Sequence, residues 1–161
     1  MKKCLNPDSQ DFRIYRIFQV LLIMVLTSCA SFKAQAPENF AEYTDTPNTK
    51  FKAVSSDGVL YRVSEYKQKS EASLDFWREA FLLKMRNANY KQEDSLNISL
   101  GGKPAIGYIF SFANNTGSDS YLVAAVQSKG KMFVVEAAGE SAKFETRKKD
   151  ILDAINKINI N

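Results

Sequence analysis

The order of hydrophobic patterns along the chain predicts an α+β fold. The expected form is an α/β/α sandwich, an antiparallel sheet of about six strands with a helix on each face, in the order ββαβββα. Three observations carry this reading. Apolar residues recur at spacings of three and four around residues 73–88 and again around 141–158, the period of helices that bury one stripe. Elsewhere from residue 51 onward, short apolar or alternating runs are separated by Gly, Asn and Asp, the punctuation of strands. Two of these runs, Tyr121–Val126 and Met132–Ala138, are apolar on both faces, so they belong at the centre of a sheet covered on both sides.

Each element follows in order. Phe51-Lys52-Ala53-Val54 and the run Val59–Tyr66 flank Ser55-Ser56-Asp57-Gly58, and Asp-Gly between β-rich runs signals a hairpin. Ser73 caps the first helix and Asp75 suits its electropositive first turn. Leu74, Trp77, Phe81, Met85 and Ala88 form one stripe, which Phe76, Ala80 and Leu83 widen into a face broad enough to lie on a sheet. The alternative use of that face is contact with a partner or a membrane surface. Tyr90–Leu100 reads as a weak edge strand closed by Gly101-Gly102-Lys103-Pro104. The next run puts Ile106, Tyr108, Phe110 and Phe112 on one face and the small Ala105, Gly107 and Ser111 on the other. Turns at Asn114-Asn115-Thr116-Gly117 and Lys129-Gly130 link it to the two central strands as a meander. Gly139-Glu140-Ser141 opens the last helix, where Phe144, Lys148, Ile151, Ile155 and Ile158 align beside Leu152 and Ala154.

The chain of 161 residues contains no histidine. That excludes Ser-His-Asp and Cys-His nucleophile pairs, imidazole acid/base catalysis and imidazole zinc sites. A hydrophobic fraction of 45% with 25% charged residues is that of an ordinary globular protein.

The first thirty residues carry targeting information. Lys2, Lys3, Arg13 and Arg16 precede the apolar run Ile17–Leu26, which is broken by Gln19 and falls short of the ~20 residues that span ~30 Å of hydrocarbon. The run ends in Leu26-Thr27-Ser28-Cys29, which resembles the lipobox of bacterial lipoproteins. The long basic segment containing Asp8 and Asp11 departs from the usual form. The resemblance implies a signal peptide over 1–28, a lipidated (palmitate-bearing) Cys29 as mature N-terminus and a membrane anchor through it. Ala30, not Asp, follows the cysteine, which implies a periplasm-facing outer-membrane lipoprotein, with the inner membrane as the alternative. Residues 29–49 are polar, contain Pro37 and Pro47 and read as a flexible tether, leaving 50–161 as a single domain.

Residues 1–28 hold four of the 22 basic and two of the 18 acidic side chains, so the remainder carries 18 against 16, a formal +2. This near balance gives no footprint for nucleic acid. With Cys4 in the signal and Cys29 acylated, the domain contains no thiol for a disulfide, a catalyst or a metal, and no cofactor is expected.

The element order, the Trp-bearing helix, the Gly102-Lys103-Pro104-Ala105 turn into an aromatic strand, and a closing helix with Phe144 and Ile151-Leu152 resemble the PsbP-like sandwich family. That family includes an extrinsic photosystem protein, a nuclear-transport accessory factor and many bacterial lipoproteins. The resemblance implies a non-enzymatic accessory protein that binds a protein partner in the cell envelope. A second reading is a small-molecule or lipid-binding module whose cavity floor is the small-residue patch at Gly107 and Ser111.

Glu136 breaks an otherwise apolar strand, and a carboxylate there is costly unless paired. An ion pair with Arg62 or Arg147 satisfies it structurally; the functional alternative joins Arg62, Glu136 and Glu140 as a polar cluster in a ligand pocket. A carboxylate-only hydrolase using two of Glu93, Asp119, Glu136 and Glu140 is the third reading, and it needs carboxyls ~5 to 9.5 Å apart. Arg147-Lys148-Lys149 reads as a solvated face, or else as a contact for anionic headgroups. Asn97-Ile98-Ser99 and Asn114-Asn115-Thr116 match the glycosylation sequon but sit where strand and turn residues are expected.

Overall fold

Strands β3 (Thr49–Ser55) and β4 (Leu60–Lys67) form the hairpin expected around Asp57-Gly58. Its turn is tied by the Val59 N–H donating to Ser55 Oγ at 2.8 Å and by Ser55 Oγ donating to the Asp57 carboxylate. The structure, a computed structural model, describes residues 32–43, 49–68, 72–115 and 117–160. The segment 1–28 expected to be a signal peptide, and Cys29, lie outside the described residues.

Two further strands precede the hairpin. β1 (Phe32–Lys33) and β2 (Phe40–Glu42) fall in the segment expected to be a tether. Phe40, Ala41 and Glu42 pair antiparallel with Ser55, Val54 and Ala53, and the folded unit begins at Phe32. The tether reading is thus corrected for residues 32–43, because short segments there find partners, Phe32-Lys33 on the C-terminal strand and Phe40–Glu42 on the sheet edge.

The remaining elements are α1 (Leu74–Asn87), β5 (Lys91–Ser95), β6 (Ile98–Leu100), β7 (Lys103–Asn114), β8 (Gly117–Ser128), β9 (Lys131–Glu140), α2 (Ser141–Asn156) and β10 (Asn159–Ile160). Ser73 caps α1, its hydroxyl accepting from the Phe76 N–H at 3.2 Å. Lys129 and Gly130 both take positive φ, 51° and 71°, the two-residue turn whose twist matches the strands it joins.

Among the described residues one antiparallel sheet of eight strands results, ordered β2-β3-β4-β9-β8-β7-β5, with β6 also paired to β7; β1 pairs separately with β10. The expected count of six is corrected to eight. β2 is recruited from the supposed tether, and the edge segment Tyr90–Leu100 breaks at Leu96-Asn97 into β5 and β6, which pair with successive parts of β7.

The two faces of the sheet are filled differently. On one, Phe144, Ile151 and Ile155 of α2 pack with Tyr61, Val63, Leu122, Ala124, Val135 and Ala137 in a continuous core. On the other, Met85 of α1 joins Tyr108, Phe110 and Val123 in a smaller cluster. Met85 is the buried residue of α1, while Ala80 and Ala88 are exposed and Phe76 and Leu83 are each 56% exposed. The expectation of one helix laid on each face is therefore corrected. α2 lies along its face, whereas α1 reaches the sheet through Phe81, Leu82 and Met85 and stands away from it over the rest of its length.

Candidate functional site

The gap beneath α1 is the site that the fold builds. α1 is held at both ends: Gln127 Nε2 donates to the Ala72 carbonyl at 2.7 Å before its first turn, and the Tyr90 N–H donates to the Met85 carbonyl at 3.0 Å after its last. Phe81 packs edge-on against Phe110 with centroids 5.7 Å apart. Between these supports a cavity of about 660 Å³ opens, within the ~300–1,000 Å³ of small-molecule sites. Its roof is Trp77, Ala80, Phe81 and Lys84, and its floor includes Tyr108, Val123 and Val134.

The alternation of the strands explains this lining. Arg62, Glu136, Val123 and Tyr108 are register partners in one row across β4, β9, β8 and β7, so their side chains share the α1 face. Glu136 lines the cavity with its side chain 17% exposed. Arg62 Nη2 and Nε both donate to Glu136 Oε2, at 2.6 and 2.9 Å, and the Tyr121 hydroxyl donates to Oε1 at 2.7 Å. Partial burial works against the Arg62 charge, but the hydrogen bond and charge of Glu136 outweigh it and raise its pKa. Burial, and then the adjacent Glu136, pushes the Tyr121 phenol up, so it stays a protonated donor.

Of the expected cluster, the structure brings Arg62 and Glu136 together and leaves Glu140 apart. Glu140 shares the strand parity of Glu136 but lies four residues along β9, about 13 Å at ~3.3 Å per residue, and pairs with Lys143 of α2. Arg147 pairs with Asp57 at 3.2 Å, not with Glu136. Asp119 is the register partner of Glu140 at the exposed end of the strands, and Glu93 on the edge strand accepts from Ser111 at 2.6 Å. The carboxylates considered for hydrolysis are therefore spread over three places, and Glu136 is the one that lines the cavity.

The small-residue patch is not the cavity floor. A Cβ on Gly107 would come within 2.9 Å of Leu96 and Ile98, so glycine there permits the β5–β6 connection to close over that face. The cavity lies on the opposite, aromatic side of β7.

Two lining residues were not read as site residues from the sequence. Among the described residues, Trp77 Nε1 and Gln68 Nε2 are buried without a hydrogen-bond partner in the protein, and both side chains line the cavity. Trp77 sat in a helical stripe that reads as core, and the one available signal was that a buried indole N–H ordinarily has an acceptor.

No protein-family model matches the chain, and no curated protein matches it. Solved structures do. The chain is similar to cyanobacterial PsbP (CyanoP) from Synechocystis sp. PCC 6803, with a TM-score of 0.60 at 10% identity over 84% of this chain and 95% of that one. It is similar to LpqN, involved in cell envelope biogenesis of Mycobacterium tuberculosis, with a TM-score of 0.57 at 14% identity over 84% and 87%. A Pseudomonas aeruginosa protein of unknown function matches with a TM-score of 0.56 at 7% identity over 81% and 85%. With these likenesses added to the antiparallel sheet and two helices of the described residues, the chain has a PsbP-like α+β fold.

Proposed function

We propose that this is a non-catalytic accessory lipoprotein of the cell envelope, anchored through Cys29 and facing the periplasm from the outer membrane, that holds a small amphipathic molecule under α1. The cavity carries this reading. It is roofed and floored by aromatic and aliphatic side chains, and the unpartnered N–H groups of Trp77 and Gln68 call for a ligand with an acceptor group as well as an apolar body. An Arg62-Glu136-Tyr121 cluster whose members satisfy one another supports orientation and not chemistry. The fold it shares with an envelope-biogenesis protein supports the accessory role and the compartment.

Binding of an envelope protein is the second reading, favoured by Phe76 and Leu83, large apolar residues left in solvent on the outer side of α1.

The test is uptake of a long-chain fluorescent fatty acid by the protein purified from membranes, against an Ala125→Phe variant that fills the cavity from β8. Saturable one-to-one binding by the wild type, lost in a variant that keeps a cooperative melt, is expected. A wild-type protein that takes up no probe and yields no co-purified small molecule on organic extraction overturns the cavity reading and leaves the protein-partner one.

A further inference from the structure

We propose that the end of the sheet carrying the β8–β9 turn is a membrane-docking surface that rests on anionic phospholipid headgroups; the inference depends on the Cys29 anchor. Two independent observations meet there. The first is covalent reach. Phe32 is fixed by pairing with Ile160 and by stacking on Phe133, with centroids 5.9 Å apart and planes 4° from parallel. Cys29 precedes Phe32 by three residues, which span at most about 10 Å. An acyl group on Cys29 therefore holds this corner of the domain against the bilayer, where a twenty-residue tether would have left it free to turn.

The second observation is charge. Lys67 and Lys131 are direct register partners at the ends of β4 and β9, Lys129 occupies the adjacent turn, and Lys103 donates to Ser128 Oγ at 2.6 Å beside them. Lys33 follows Phe32 directly and is exposed. Like charges facing each other across a ladder are unfavourable unless a counter-charge is near. Glu65 supplies part of it, meeting Lys131 at 2.8 Å and Lys50 at 3.4 Å. Lys33, Lys67 and Lys129 are exposed at the end of the sheet to which Phe32 is tied, and anionic headgroups are the complement that an anchor three residues away brings within reach. At the other end of the sheet Asp57 and Glu140 are paired with Arg147 and Lys143, so that end offers no comparable run of exposed cations. The cavity reaches the basic end through Lys67 and Gln68, which puts its rim on the bilayer side.

The experiment uses the mature protein purified from membranes. Cys4 and Cys29 are the native cysteines, the first lies in the signal and the second is acylated, so an introduced cysteine is a unique reporter. Asn159→Cys marks the basic end and Ser56→Cys the opposite end; both positions are exposed. Each is labelled with a fluorophore in vesicles containing about one-third phosphatidylglycerol or phosphatidylcholine alone, with a nitroxide-headgroup lipid as quencher. Quenching several-fold stronger at 159 than at 56 on anionic vesicles is expected, falling towards equality in high salt and in a Lys67→Glu/Lys129→Glu/Lys131→Glu protein. Equal quenching at the two positions on anionic vesicles, or stronger quenching at 56, overturns the docking surface. The intact mass of the same sample separates the two failures, since a protein without acyl mass at Cys29 removes the anchor itself.

Discussion

The two faces of the sheet belong to the same strands, yet they are packed differently. Under α2, aliphatic residues from β4, β8 and β9 interdigitate with Phe144, Ile151 and Ile155, all of them fully buried. Under α1, the cluster holds four buried residues, and large aromatic side chains prop the helix away from the floor. Stability is concentrated where packing is dense, since buried apolar area and unfilled volume act in opposite directions. One face can then be left imperfectly filled and available to a ligand because the other holds the fold.

Truncation on each side should give the largest contrast. Phe144→Ala should cost about 3–5 kcal/mol in denaturant unfolding, whereas Phe81→Ala, which removes a partly buried ring and enlarges an existing cavity, should cost less than half of that. Similar losses on both sides would mean that the α1 face is as much a core as the other.

A smaller effect is expected at the polar cluster. Glu136→Gln keeps an acceptor for Tyr121 but removes the charge that faces Arg62, and should cost about 1 kcal/mol given that Arg62 is half in solvent. A Glu136→Gln protein with unchanged stability and unchanged probe uptake would remove any role for the cluster in the cavity.

The smallest effect concerns pH. Hydrogen bonding from Lys131, opposed by burial and aided by Lys50, lowers the Glu65 pKa below its ordinary 4.5. A depressed carboxylate contributes stability above its unfolded pKa and loses it as pH falls through the folded value. Unfolding midpoints should therefore decline below about pH 4.5, and Lys131→Met should flatten that decline.

What could be read from the sequence was local. The Asp57-Gly58 turn, the Ser73 cap and the alternation from Ile106 to Phe112 each depend on a few adjacent residues, and each is found. Arg62 was one of two partners offered for Glu136, and the cross-strand register selects it over Arg147. β2 was missed because three residues, Phe40-Ala41-Glu42, carry no period, and their pairing partners, Ala53 to Ser55, lie more than ten residues along the chain. Glu140 was grouped with Glu136 because parity gives the face of a strand but not the distance along it. The cavity was invisible for a related reason. Helical period shows which side of α1 is apolar, but how far that side stands from the sheet depends on bulky contacts across it such as Phe81 on Phe110.

The pairing of β1 with β10 has a kinetic consequence. Phe32 and Ile160 are at opposite ends of the domain sequence, and their ladder is two residues long. A contact with so large a loop to close forms late in folding, after the strands between have assembled. In pulse-labelled refolding the amides of Phe32 and Lys33 should gain protection after those of β8 and β9, so the stretch next to Cys29 is the last part of the domain to lock.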